Sequence, residues 1–168
     1  MKAIGDDEIS AWLRNAESSR AMVDDSVIDL GGEFSFGIPV DAGRRTHLAR
    51  LLASAFHDAA EGLLWIDEYG IWPSSENRTI FTALRRAFDE TRALREAPGH
   101  VFSPEDSELL QALIAIVLYF SWGARLFRND GMLRIRISHD EYVECEGNSG
   151  VVAALKNCLA TQGYEVSR

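Results

Sequence analysis

A chain of 168 residues with 46% hydrophobic and 10% aromatic content holds enough apolar mass for one globular core, which excludes wholesale disorder. Its 17 basic residues stand against 26 acidic ones, a net charge of −9 that repels phosphates and argues against a nucleic-acid partner. That charge suits either solubility or attraction to a basic protein.

Two cysteines, Cys145 and Cys158, are too few for a disulfide framework and read as small buried hydrophobes. The first eight residues lack the apolar run of a secretory signal. The longest apolar stretch, 109–122, is interrupted by Gln111 and too short for a bilayer. No membrane contact and a cytoplasmic location are therefore expected.

Taken in order, Asp6 or Asp7 can cap a first helix with Ile9, Trp12, Leu13 and Ala16 on one face. A polar stretch follows, then Val27-Ile28-Asp29-Leu30 and the Gly31-Gly32 turn. Residues 33–40 read as a short strand with Pro39 near its end. Leu48, Leu51, Leu52, Ala55, Phe56 and Ala59 line an amphipathic helix that Gly62 stops. Leu63-Leu64-Trp65-Ile66 is a short buried strand. After the loop 67–75, a helix beginning near Ser74 or Ser75 carries Ile80, Phe81, Leu84 and Phe88. On it, Arg78, Arg85 and Arg92 fall seven apart, a solvated stripe in which Arg85 can pair with Asp89.

Ala97-Pro98-Gly99 breaks the chain and leaves His100 exposed. Ser103-Pro104-Glu105-Asp106 starts a helix that runs to about Ser121, apolar on nearly every side and hence central in the core. Asn129-Asp130-Gly131 joins 124–128 to 132–138 as a hairpin, with Leu133, Ile135 and Ile137 facing one way and Arg134 and Arg136 the other. Residues 142–145 add a strand, 150–161 a helix ending at Gly163, and 164–166 a terminal strand. The expected fold is one α+β domain, 1–168: a sandwich of several helices on a small mixed or antiparallel sheet that includes the 124–138 hairpin.

The densest chemistry lies in 64–78, where Asp67, Glu68, Trp72 and Glu76 gather at a strand-to-helix junction. Aromatic and charged side chains mixed in this way suit a partner-binding surface. Asp67 and Glu68 point apart if the strand continues, which disfavours paired-carboxylate chemistry. Ser138-His139-Asp140-Glu141 does not make a triad, because consecutive residues on a strand alternate sides. His47 and His57, ten apart, do not share a helical metal site, and no zinc spacing, Walker loop, G-x-S-x-G or G-x-G-x-x-G is present. No metal and no cofactor are expected.

The stretches Leu63-Leu64-Trp65-Ile66, Trp72-Pro73-Ser74-Ser75-Glu76-Asn77, Glu96-Ala97-Pro98-Gly99-His100-Val101-Phe102 and Ser138-His139-Asp140-Glu141 resemble a family of uncharacterised bacterial proteins over roughly 60–145. That resemblance brings no activity and no functional residues with it. The small, acidic, single-domain format is similar to that of bacterial toxin-immunity proteins, by analogy of format only.

The leading expectation is a non-enzymatic binding protein of immunity or inhibitor type, engaging a basic protein partner through Asp67, Glu68, Trp72, Glu76, Asp140 and Glu141. Two alternatives stand beside it. One is a small hydrolase using His139 or His100 with nearby carboxylates. The other is a structural subunit of a larger assembly, which large exposed apolar patches would mark.

Overall fold

The computed structural model describes residues 1–21, 31–70 and 78–167. Their elements run β1 (Lys2–Ile4), α1 (Asp6–Ala21), β2 (Gly32–Gly37), α2 (Ala42–Ser54), β3 (Gly62–Glu68), α3 (Arg78–Arg86), β4 (Gly99–Phe102), α4 (Ser107–Tyr119), β5 (Gly123–Arg128), β6 (Leu133–Ile137), β7 (Tyr142–Gly147), α5 (Ser149–Thr161) and β8 (Val166–Ser167). The eight strands form one sheet in the order β1-β4-β3-β5-β6-β7-β2-β8, with every neighbouring pair antiparallel. The fold is α+β.

Strand alternation decides what each face of the sheet meets. Leu64 and Ile66 of β3, Leu126 of β5, Ile135 and Ile137 of β6 and Val143 of β7 point to one side. There they join Leu48 and Leu52 of α2, Leu110 and Ile114 of α4, and Leu155 and Leu159 of α5 in the main core. On the other side Ile9, Trp12 and Leu13 of α1 pack on Ile4, Leu63, Trp65 and Phe127, which covers the half of the sheet around β1, β4, β3 and β5. Across β6, β7 and β2 that same side carries Arg134, Arg136, Glu144, Glu146 and Glu33, residues incompatible with a dry layer.

Local chemistry sets the turns. The 124–138 hairpin forms where expected, with Gly131 at φ 69° and the Asp130 carboxylate accepting from the Met132 amide at 2.9 Å. Arg128, nearly buried, locks this turn to the rest of the fold. Its guanidinium donates to Asp130 at 2.7 Å, to Asp58 at 2.7 Å and to the Ala55 carbonyl at 3.2 Å. Asn148 caps α5 by accepting from the Gly150 and Val151 amides, and Gly163 at φ 77° ends it.

Several sequence expectations change. Asp6 and Asp7 lie inside the first turn of α1 and do not cap it; Glu8 reaches back to accept from the Gly5 amide at 3.1 Å. Helix α2 stops at Ser54, because the chain tightens into i→i−3 turns there (Phe56 to Ala53, Ala59 to Phe56). Those turns keep Phe56 and Ala59 buried, so the apolar period outlasts the helix. Helix α4 lies in the core as expected, with one face fully buried and Gln111, Ala112, Ala115 and Ile116 half-buried, while Tyr119 at its end is 60% exposed. Strands β1 and β4 are absent from the sequence reading. In β4 Gly99 is a packing requirement, since a Cβ there would meet Ile4 and Ile9. The start of the helix near Ser74 or Ser75, and the segment 27–30, lie outside the described residues.

Candidate functional site

One end of the strands gathers several elements: the C-termini of β3 and β6, the start of β5 and β7, the exit of β2 and the last turn of α4. Strand β3 continues through Glu68, with a register shift between Ile66 and Glu68 that sets Asp67 and Glu68 together against Gly123, so the expected alternation of the two carboxylates is broken. Asp67 turns to the α1 side and pairs with Arg125 at 3.1 Å. Burial pushes its carboxyl above the usual range, and Arg125 offsets part of that.

Glu68 lies over Gly123, where any Cβ would collide with its side chain. There it accepts from His139 Nδ1 at 2.7 Å. His139 Nε2 faces the Asp140 carboxylate at 3.5 Å. The tight Ser138–Tyr142 turn holds this arrangement: the Ser138 amide donates to the Tyr142 carbonyl, and the Ser138 hydroxyl accepts from the Asp140 amide at 3.1 Å. Glu141, left-handed at φ 65°, points to Arg45 at 3.1 Å.

Arg45 is the hub of this end. Its guanidinium also donates to the Pro39 carbonyl at 2.7 Å and the Leu118 carbonyl at 2.9 Å, which fastens the β2 exit to the last turn of α4. Val40, next to Pro39, is 89% exposed, and Tyr119, next to Leu118, is 60% exposed. Behind them an aromatic chain runs Tyr119–Phe120–Trp122–Tyr69, with ring centroids 5.3, 5.8 and 6.2 Å apart. Carboxylates and exposed apolar side chains thus share one end of the molecule.

Of the six residues singled out from the sequence, Glu68, Asp140 and Glu141 meet at this end. Asp67 pairs instead with Arg125, and Trp72 and Glu76 lie outside the described residues. Val40, Arg45 and Tyr119 were not foreseen. Each looked like an ordinary helix or loop residue, and only long-range packing sets it beside the acids.

Other candidates are relocated. His100 is fully buried in β4, edge-on to Phe81 at 5.7 Å, and burial together with the Arg85 cation pushes its pKa down to about 4. The solvated arginine stripe does not exist, because α3 ends at Arg86. Arg85 is buried and donates to the Ala97 carbonyl at 2.8 Å, without pairing with Asp89, while Arg92 pairs with Glu90 at 2.6 Å. Cys145 is buried as expected, but Cys158 is exposed on the outer face of α5.

A concave surface lies on the α1 side. Cross-strand register sets Trp65, Arg125, Arg136, Glu144 and Ser35 in one row, and Phe127, Arg134, Glu146 and Glu33 in the next. With Leu13 and Glu17 of α1 they line an open cleft of about 840 Å³. Each arginine is engaged: Arg125 with Asp67 at 3.1 Å, Arg134 with Glu146 at 2.8 Å and Arg136 with Glu144 at 3.1 Å. Arg125 also lies over the Trp65 ring and Arg134 over Phe127. The Arg-x-Arg and Glu-x-Glu patterns of β6 and β7 were the available signal for this ladder.

Among the described residues no group of three or more His, Cys, Asp or Glu side chains is placed to hold a metal ion, and no helix is long and apolar enough to cross a membrane. The chain matches no known family model, no curated protein and no solved structure.

Proposed function

We propose that this chain is a non-enzymatic protein-binding domain of immunity or inhibitor type, which engages a basic protein partner through the end formed by Glu68, Asp140, Glu141, Val40 and Tyr119. One observation carries this: separate segments bring three carboxylates and two exposed apolar side chains to the same end. Carboxylates steer a basic surface into encounter, and a desolvated aromatic holds it afterwards. Arg45 ties the segments together, so the surface is organised before a partner arrives.

The test is affinity capture from the native cell with tagged wild-type chain and with Glu68→Gln/Asp140→Asn/Glu141→Gln. Wild type recovers a stoichiometric basic protein, and the triple variant, folded by circular dichroism, loses it. Equal recovery by both chains defeats the assignment of this surface.

The Glu68–His139 hydrogen bond favours a second reading, a hydrolase with His139 as base. Against it, His139 Nδ1 and Nε2 both face carboxylates, which leaves neither ring nitrogen directed at a nucleophile. His100, the other candidate base, is sealed from solvent. Turnover of ester or phosphoester substrates that disappears in His139→Gln would restore the enzyme.

A further inference from the structure

We propose that the cleft between α1 and the charged half of the sheet is a second binding site, one that takes a short, extended, lysine- or arginine-rich segment of the partner. It rests on the partner being basic, and its lining residues are not those of the Glu68–Glu141 end.

Charge decides the class of occupant. Among the described residues, the cleft and its margin hold five acids (Glu17, Glu33, Asp67, Glu144 and Glu146) against three arginines. Asp67, Glu144 and Glu146 each hold an arginine, whereas Glu17 and Glu33 have no ion pair among the described residues. An anionic ligand would have to displace a carboxylate from each arginine within an acidic field. A cationic segment meets Glu33 and Glu17 directly and disturbs no existing pair.

Shape decides its form. From Arg125 on β5 to Glu33 on β2 the floor crosses three strand spacings, about 14 Å, the span of roughly four extended residues. Leu13, Trp65 and Phe127 make the apolar wall on which the aliphatic stems of lysine or arginine can lie. The cleft's volume falls in the range of sites that bury a small ligand or peptide.

The experiment is a titration of the full chain with tetralysine, followed by amide chemical shifts. It compares wild type, Glu17→Gln/Glu33→Gln, the Glu68→Gln/Asp140→Asn/Glu141→Gln triple variant, and Asp6→Asn/Asp7→Asn as a charge control on the far end of α1. The expected result is shifts centred on β2 and β7, with binding roughly fivefold weaker in the Glu17/Glu33 variant and little changed in the control. An equal loss in the control overturns the site, since net charge alone would then act. A loss confined to the triple variant overturns the cleft while leaving the Glu68–Glu141 end standing. Absence of tetralysine binding to wild type overturns the cleft, and the capture experiment then judges the basic partner by itself.

Discussion

Glu68 on β3 and His139 in the β6–β7 turn are 71 positions apart in the chain and 2.7 Å apart in space. The contact is a product of sheet order. Glu68 lies opposite Gly123 at the start of β5, β5 pairs with β6, and the turn that follows β6 swings His139 back over the same strand ends. Nothing local to either residue would bring them together.

Gly123 is the floor of that contact. In Gly123→Ala the new Cβ would occupy the space of the Glu68 side chain, so either the strand pair shifts or Glu68 leaves His139. The expected cost is about 1–3 kcal/mol in urea denaturation. A folded Gly123→Ala chain should also show altered His139 ring resonances. An unchanged denaturant midpoint would mean that Glu68 does not occupy this position in solution.

His100 makes the fold acid-sensitive. Its pKa is held near 4 by burial and by Arg85, against 6.5 when free, so the unfolded chain binds more protons between those values. His100 therefore contributes full stability above about pH 6.5 and loses it as pH falls towards 4, on the order of 3 kcal/mol. Asp67, whose pKa is raised, has the opposite sign: its contribution is present at low pH and fades as pH rises through its folded-state value. Denaturation midpoints at several pH values should fall less steeply for His100→Phe or His100→Gln than for wild type. Parallel profiles would show that His100 is not buried and neutral.

Arg128 and Arg134 are both ion-paired, yet they should differ widely on substitution. Arg128 is nearly buried and serves Asp130, Asp58 and the Ala55 carbonyl, so Arg128→Met strands several acceptors and should cost roughly 2–4 kcal/mol. Arg134 and Glu146 are each more than half exposed, and Arg134→Met should change stability by less than about 0.5 kcal/mol. Thermal melts of the two variants decide the matter, and similar losses would contradict the burial of Arg128.

The two cysteines should separate cleanly by reactivity. Cys158 is exposed and should consume one equivalent of a disulfide reagent rapidly in native buffer. Cys145 is buried in β7, and burial pushes its thiol well above the ordinary range, so it should react only on unfolding. Two fast equivalents at neutral pH would place β7 at the surface.

Periodic elements were legible from the residues alone. The alternation Leu133-Arg134-Ile135-Arg136-Ile137 and the Asn129-Asp130-Gly131 turn define β5 and β6 almost to the residue. Helix α4 announced itself through Ser103, Pro104 and its apolar run. Strands β1 and β4 did not. They are three and four residues long, and their cues, Gly99 and His100, look like a turn and a solvated imidazole until β1 and α3 bury them. Arg85 misled because a seven-residue spacing implies a stripe only while the helix lasts, and α3 ends one residue later.

Of the candidate site, the acids were visible as residue types. Asp140 and Glu141 stood in the run 138–141 and Glu68 at a strand-to-helix junction, but their convergence with Tyr119 and Val40 depends on strand order and on Arg45. No local pattern encodes either of these.

The sheet is bounded by β1, three residues long, and β8, two residues long. At the β1 end, three paired residues offer almost no free ladder of amides and carbonyls to another chain. At the other end β8 pairs with Ser35 and Phe36 alone, so among the described residues the remaining length of β2 has no strand on its outer side. The two borders of the sheet are therefore unequal, and a strand that joined it would find more backbone to pair with along β2 than along β1.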